Sequence, residues 1–375
     1  MIQKIIRSGI YATTNSAPKG FDLFSGAGGL SVGFAMAGGR PLGAVDIDYD
    51  SISTYRRNFP MARDVACCPI ESWHPLSKPG QVDIIFGGPP CQGFSLARGL
   101  RFLDDSRNHL YKYFTKIVSA YKPRWIVMEN VEGITNIGGG AILNQILDDF
   151  TDIGYSIDYR VINMAMYGVP QLRKRAFFVG NRLGETFIWP KAGYYDSRKQ
   201  APAFRLFDEP LLPFNSVNSA LGDMVLPEGN YFSHRANAKM RGPRNRCAHT
   251  EPAFTLRVRG DEFALCEEPA TSAFIPGSAP TGEIAYRAPQ NELQDLLRNN
   301  RPLWAQEPQR KLAKGNTVPI LKKSRRLTIR EQARLQTFPD WVSFEGGVTS
   351  QARQIGNAVP PLFAYQIFSE IIKTL

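Results

Sequence analysis

Phe21-Asp-Leu-Phe-Ser-Gly-Ala-Gly-Gly-Leu-Ser-Val-Gly-Phe34 reads as a short apolar strand, a glycine-rich turn and a helix that begins near Gly28. Glycines in such a turn let the backbone pass close to a ligand, and the helix N-terminus favours negative groups. A dinucleotide fingerprint needs G-x-G-x-x-G, but Ser31 stands where its third glycine should be. Asp46 ends the next strand, 20 residues after Gly26. There an acidic side chain can accept hydrogen bonds from ribose hydroxyls. Any adenosine cofactor fits this pattern, S-adenosylmethionine included, and a plain packing turn fits it too.

Outward from this unit, short apolar runs alternate with helix-like stretches as far as residue 180. That is the rhythm of strands and crossover helices in a mostly parallel α/β sheet. The expected strands are Gly20 to Phe24, Leu42 to Ile47, Val82 to Phe86 and Trp125 to Met128. Leu110, Tyr113, Phe114, Ile117, Val118 and Tyr121 recur at helical spacing, as do Ile142, Leu143, Ile146, Leu147, Phe150 and Ile153. Tyr155 to Ile162 and Arg175 to Val179 flank Pro170 as strands of an antiparallel hairpin.

Between 181 and 326 the chain becomes irregular and Pro-, Gly- and Asn-punctuated, with a surplus of seven Lys and Arg over Asp and Glu. Most of the net charge of +11 therefore lies in the least regular part of the 375 residues. That charge favours a polyanionic partner through counterion release. From Thr328 the pattern is helical again, opened by a Thr328/Glu331 capping box, and a last apolar helix starts near Pro360 and Pro361. Composition is that of ordinary globular proteins, with 43% hydrophobic and 21% charged residues. Neither a membrane-spanning run nor a secretory signal is visible, so a cytoplasmic protein is expected. Five cysteines without paired spacing indicate no disulfide framework and no metal site.

One cysteine stands apart by its surroundings. The strand Val82 to Phe86 runs into Gly87-Gly-Pro-Pro-Cys-Gln-Gly-Phe-Ser95, placing Cys91 beyond the carboxyl end of a parallel strand, the edge where open α/β sheets bind ligands. The strand from Arg124 to Met128 delivers Glu129-Asn-Val131 to the same edge. A thiol and a carboxylate can converge there on one substrate. Arg173 and Arg175, two apart on an extended segment, face the same way.

Phe24-Ser-Gly-Ala-Gly-Gly29, Gly88-Pro-Pro-Cys-Gln-Gly-Phe-Ser95, Glu129-Asn-Val131, Gln171-Leu-Arg-Lys-Arg175, Arg330-Glu-Gln-Ala-Arg-Leu-Gln-Thr-Phe-Pro339 and Gln354-Ile-Gly-Asn-Ala-Val-Pro360 together resemble the ordered motifs of the DNA (cytosine-5) methyltransferases of prokaryotic restriction-modification type. The resemblance spans residues 21 to 361. It implies a Rossmann-like S-adenosylmethionine-dependent methyltransferase sheet, built from 1–180 plus 345–375, with a target-recognition domain inserted over 181–344. Cys91 would be the nucleophile that adds to carbon 6 of cytosine, Glu129 the acid at ring nitrogen 3, and Arg173 and Arg175 the grip on the flipped nucleotide. Phe24, Gly26, Gly28, Leu30, Asp46, Ile47, Asp64, Val65, Pro89 and Asn357 would hold S-adenosylmethionine.

Gln92, Ser95, Arg241, Arg244, Thr255, Arg257 and Arg259 would contact DNA, with the arginines suited to guanine or phosphate. Arg330 and Arg334 share a helix face, and by resemblance brace the recognition domain. The resemblance further implies a monomer acting on duplex DNA, with a cognate restriction endonuclease using the same site without a stable complex. Alternatives are a transfer RNA methyltransferase of the same family and a catalytically silent DNA-binding protein on the same fold. The long basic insert favours duplex DNA, and the joint presence of Cys91 and Glu129 favours catalysis. A nicotinamide oxidoreductase leaves Cys91 in its Pro-Pro loop without a role.

Overall fold

Seven strands form the central sheet of the computed structural model, which describes residues 16–90, 110–198, 210–222, 231–234, 244–256, 263–266, 271–274, 317–320 and 324–375. They are β1 (Lys19–Leu23), β2 (Arg40–Asp46), β3 (Asp64–Cys67), β4 (Ile84–Gly87), β5 (Trp125–Val131), β6 (Ser156–Asn163) and β7 (Lys174–Asn181). Their order is β3-β2-β1-β4-β5-β7-β6, parallel except for β7, which runs antiparallel to both β5 and β6. The strand order reverses between β1 and β4, so the crevice at this switch point opens beyond Leu23 and Gly87, which face each other in register. Gly87 is obligatory there, because a Cβ would lie 1.9 Å from the Leu23 carbonyl oxygen.

Both faces of the sheet are covered, which explains the unbroken apolar strands. In β5, Ile126 and Met128 enter one core with Phe114 and Val118 of α3 (Leu110–Tyr121) and Ile146 and Phe150 of α4 (Ala141–Asp152). Trp125 and Val127 enter the other, with Phe34 of α1 (Gly29–Met36) and Phe363 and Phe368 of α8 (Pro361–Ile372). Phe34, Phe86 and Phe368 pack as a triangle with centroids 4.9–5.2 Å apart, pinning α1 and α8 to β4. Each buried Phe stabilises the fold by roughly 1.5–3 kcal/mol. Helix α2 (Tyr49–Asn58) is capped by Asp48, whose side chain accepts from Ser51 N–H at 3.0 Å. Among the described residues no helix is long and apolar enough to cross a membrane.

The expected strands, the two amphipathic helices and the hairpin form at their expected places, to within a few residues at their ends. The region expected to be irregular contains more order than its punctuation suggests. Arg244–Cys247, Tyr231–His234, Phe263–Cys266 and Ser324–Arg326 form a four-stranded antiparallel sheet in that order. Phe232 stacks on Phe263 at 5.0 Å, and both pack with Leu265, Leu256 and α5 (Val217–Leu221) in a separate small core. Strands of three or four residues are too short to show a periodicity. Phe187 and Trp189 belong to the core of the large sheet, and Phe338 and Val342 pack with Val32, Met36 and Ile355 of α7 (Val348–Asn357).

Helix α6 (Ile329–Leu335) carries the expected capping box, with Thr328 and Glu331 in reciprocal contact. Arg334 donates to both Asp340 carboxylate oxygens and to the Leu221 carbonyl, and Arg330 to the Val342 carbonyl. Both arginines are thus spent on bracing.

Candidate active site

Glu129, Asn130 and Pro89 meet where β4 and β5 end. Asn130 is buried and donates its amide to the Pro89 carbonyl at 3.0 Å, while its own side-chain oxygen accepts the Val131 N–H at 2.8 Å. The Gly88-Pro89-Pro90 segment that leads into Cys91 is thereby tied to the strand bearing Glu129. A Cβ on Gly88 would lie 3.0 Å from Glu129 Oε2. Cys91, Gln92 and Ser95 themselves lie outside the described residues, as do Arg241, Arg257 and Arg259.

Glu129 is 9% exposed and pairs with Arg175 of β7, whose Nε stands 3.0 Å from Glu129 Oε1. Burial raises the Glu129 pKa from its ordinary value, and the guanidinium charges of Arg175 and Arg173 oppose that rise. A carboxyl group so balanced can hold a proton at a substrate edge and give it up there.

Arg173 does not reach this site, contrary to the expectation that it grips a nucleotide. It is 0% exposed, and its terminal nitrogens donate to the carbonyls of Leu256 at 3.1 Å and Gly356 at 3.0 Å. It belongs to a buried polar junction. Gln171 accepts from Leu256 N–H at 2.8 Å and donates to Gln336 Oε1 at 2.7 Å, and Leu172 N–H donates to the Ala253 carbonyl at 2.9 Å. Thr255, expected to contact DNA, donates its hydroxyl to the Leu172 carbonyl instead. Arg244 opens the strand that pairs with Tyr231–His234. The alternation of a strand placed Arg173 and Arg175 alike, but a junction above β7 takes the first and leaves the second to Glu129.

At the other side of the crevice the glycine turn follows β1. Phe24 and Gly28 both have positive φ, 58° and 83°. Such a backbone is uncommon for an aromatic residue and suggests a constrained functional turn. Gly26 N–H donates to Asp46 Oδ2 at 2.8 Å, and Asp48 N–H to Asp46 Oδ1 at 2.9 Å. Burial raises the Asp46 pKa, with these backbone donors opposing. Beyond Gly26 a Cβ would meet nothing within 4 Å, and Ile47 beside Asp46 is 75% exposed. An open backbone turn, an acceptor at a strand end and an exposed apolar side chain suit the backbone-approach, ribose and base requirements of an adenosine cofactor. The turn holding Asn357, itself exposed, comes down on the same place: the Val359 carbonyl would touch a Cβ on Gly29 at 2.3 Å. Leu30 turns its side chain into the core instead.

Asp64 and Val65 are not brought to this edge. In register Asp64 faces Gly43, at the far end of β3 from the crevice, and its buried carboxylate accepts from Leu76 N–H at 2.5 Å and Ser77 N–H at 3.1 Å. The residues facing Asp46 are Cys67 and its neighbour Cys68, whose N–H donates to the Asp46 carbonyl at 3.1 Å. Their place at the end of β3 was the available signal, hidden because the strand Asp64–Cys67 is four residues long.

Residues 19–373 match the family model for C-5 cytosine-specific DNA methylase. The chain is 31% identical over 360 residues to the Type II methyltransferase M1.HphI of Haemophilus parahaemolyticus, covering 94% of this chain and 86% of that one. It is 33% identical over 384 residues to the Type II methyltransferase M.XorII of Xanthomonas oryzae pv. oryzae, covering 96% and 85%. The fold is similar to the crystal structure of the S. pombe Dnmt2 methyltransferase, with a TM-score of 0.57 at 13% identity over 96% of this chain and 99% of that one.

Proposed function

Because the chain belongs to the C-5 cytosine-specific DNA methylase family, we propose that it methylates carbon 5 of one cytosine within a specific duplex DNA sequence through a covalent Cys91 adduct, as the modification enzyme of a Type II restriction-modification system. The observation that supports this most is the buried Glu129–Arg175 pair beside the Pro89 carbonyl, with Cys91 two residues further along.

Carbon 5 of cytosine is a poor nucleophile, so the ring needs activation. Cys91 as thiolate adds to carbon 6, and the electron pair displaced from the double bond moves toward ring nitrogen 3. Glu129 in its protonated form donates to that nitrogen as charge develops. Arg175 fixes the carboxyl group so that its free oxygen faces the ring. After methylation, water takes the carbon-5 proton, Cys91 leaves as thiolate and the proton at ring nitrogen 3 returns to Glu129, which restores the aromatic ring. S-adenosylmethionine, when bound, supplies the electrophilic methyl group. Phe24, Gly26, Gly28, Asp46, Ile47 and Asn357 would hold it. Because a stacked base is out of reach, the cytosine is flipped out at a cost of a few kcal/mol. Basic residues of the 181–326 region compensate through phosphate contacts.

Duplex DNA carrying 5-fluorocytosine tests the reading, because fluorine cannot leave as the carbon-5 proton does. Incubated with the protein and S-adenosylmethionine, it should give an adduct that survives denaturing electrophoresis, and Cys91→Ala should give none. An equal yield from Cys91→Ala would remove the proposed nucleophile.

A further inference from the structure

The turn between β1 and α1 has the path of a phosphate cradle with four of its backbone donors already taken. In a phosphate-binding strand-turn-helix unit, backbone N–H groups of the turn and of the first helical residues point at the anion. Here the chain itself takes those of Ser25, Gly26, Gly28 and Ser31. Ser25 N–H donates to the Val45 carbonyl at 3.1 Å, Gly28 N–H to the Ser25 carbonyl at 2.9 Å, and Gly26 N–H to the Asp46 carboxylate. No side chain caps α1 from its own N-cap position, Gly28. Asp22, next to last in β1 and 1% exposed, serves instead from below. Ser31, in the first turn of α1, donates its hydroxyl to Asp22 Oδ2 at 2.7 Å, and its backbone N–H goes to the same carboxyl group. The Ser31 oxygen also lies 2.7 Å from the buried Tyr55 hydroxyl on α2.

We propose that Asp22 is a specificity-determining residue of the cofactor loop: by occupying the amide and hydroxyl of Ser31 it closes this helix N-terminus to phosphate and reserves the loop for an adenosine cofactor that carries none. The inference rests on the S-adenosylmethionine reading above and deepens it. It gives Ser31 a reason to stand where a dinucleotide loop has its third glycine, since glycine would supply no hydroxyl to the carboxyl group. Occupancy does not depend on ionisation, because a neutral carboxyl group accepts through its carbonyl oxygen. Any charge acts in the same direction. Asp22 and Asp46 both flank the loop, so a pyrophosphate meets repulsion where a sulfonium meets attraction.

The test is equilibrium binding to the full chain of three probes that share an adenosine: S-adenosylmethionine, S-adenosylhomocysteine and ADP. Wild-type protein should bind the first two and exclude ADP. Asp22→Ser, which vacates the carboxyl position, should move the ratio of ADP affinity to S-adenosylhomocysteine affinity by about tenfold in favour of ADP, the scale of one hydrogen bond to a charged group. A merely structural defect would weaken both adenosine probes together and leave that ratio unchanged. Should Asp22→Ser fail to fold, the isosteric Asp22→Asn keeps the volume, removes the charge and should move the ratio the same way by a smaller factor. An unchanged ratio in the folded variants overturns the proposal. If the wild-type protein binds neither S-adenosylmethionine nor S-adenosylhomocysteine, the cofactor reading itself is what fails.

Discussion

Two carboxyl groups are buried at the same edge of the sheet, Asp22 on β1 and Glu129 on β5, and they differ in what they face. Burial raises both pKa values, but Asp22 meets only a hydroxyl and an amide of Ser31 and the repulsion of Asp46, whereas Glu129 pairs with the Arg175 guanidinium and feels the charge of the buried Arg173. Hydroxyl partners leave the desolvation cost of ionisation largely in place, while cations offset it. One environment makes a carboxyl group a fixed acceptor that shapes backbone. The other holds a carboxyl group between two protonation states, where it can serve as an acid.

The largest expected effect breaks the comparison at its reactive end. Glu129→Gln should lower methyl transfer by about 10²–10⁴-fold while duplex DNA is still bound, measured by methyl incorporation and gel retardation. In the wild type the rate should fall as pH rises through the Glu129 pKa, because the proton donor is lost, and the Gln variant should lack that limb. A Gln variant with normal turnover would leave Glu129 without a role. Next in size is a contrast at the start of β7, between Arg173 just before the strand and Arg175 within it. Arg173→Met strips donors from the buried Leu256 and Gly356 carbonyls, at about 1–3 kcal/mol each, and should lower the urea midpoint markedly. Arg175→Met should cost far less stability and far more activity. Equal stability losses in the two variants would mean that Arg173 is no brace.

The same contrast explains how much the sequence could reveal. Phe21 to Phe34, Val82 to Pro90 and Arg124 to Val131 are local: strand, turn and candidate site residue follow one another in the chain, so their reading placed the strands and brought Glu129 to the carboxyl edge of the sheet. Arg173 defeated that reading because its partners, Leu256 and Gly356, are 83 and 183 residues away. Strand alternation says which way a side chain points, not what the rest of the chain has placed there. Asp64 failed similarly. Only the pairing of Asp46 with Cys67 reveals that Asp64 lies at the start of its strand. The small antiparallel sheet around Phe232 and Phe263 was illegible because its strands are too short to alternate visibly.

The smallest expected effect sharpens the comparison through its pH dependence. The folded-state pKa of Asp22 lies well above its ordinary value of 3.8, so over the interval between the two the native protein holds a proton that the unfolded chain has released. The unfolded state then binds fewer protons, and stability falls as pH rises, at up to about 1.4 kcal/mol per pH unit. Asp22→Asn has no such proton to lose. The stability of the wild type relative to Asp22→Asn should therefore be greatest near about pH 4 and decline toward neutrality in urea titrations. Glu129→Gln should show the same sign with a smaller slope-bearing interval, because Arg175 and Arg173 oppose the rise at Glu129 and nothing cationic does so at Asp22. If the Asp22 difference were flat across that range, burial would not be holding its proton. If instead the two variants gave equal intervals, the guanidinium groups would not be what distinguishes the acid on β5 from the acceptor on β1.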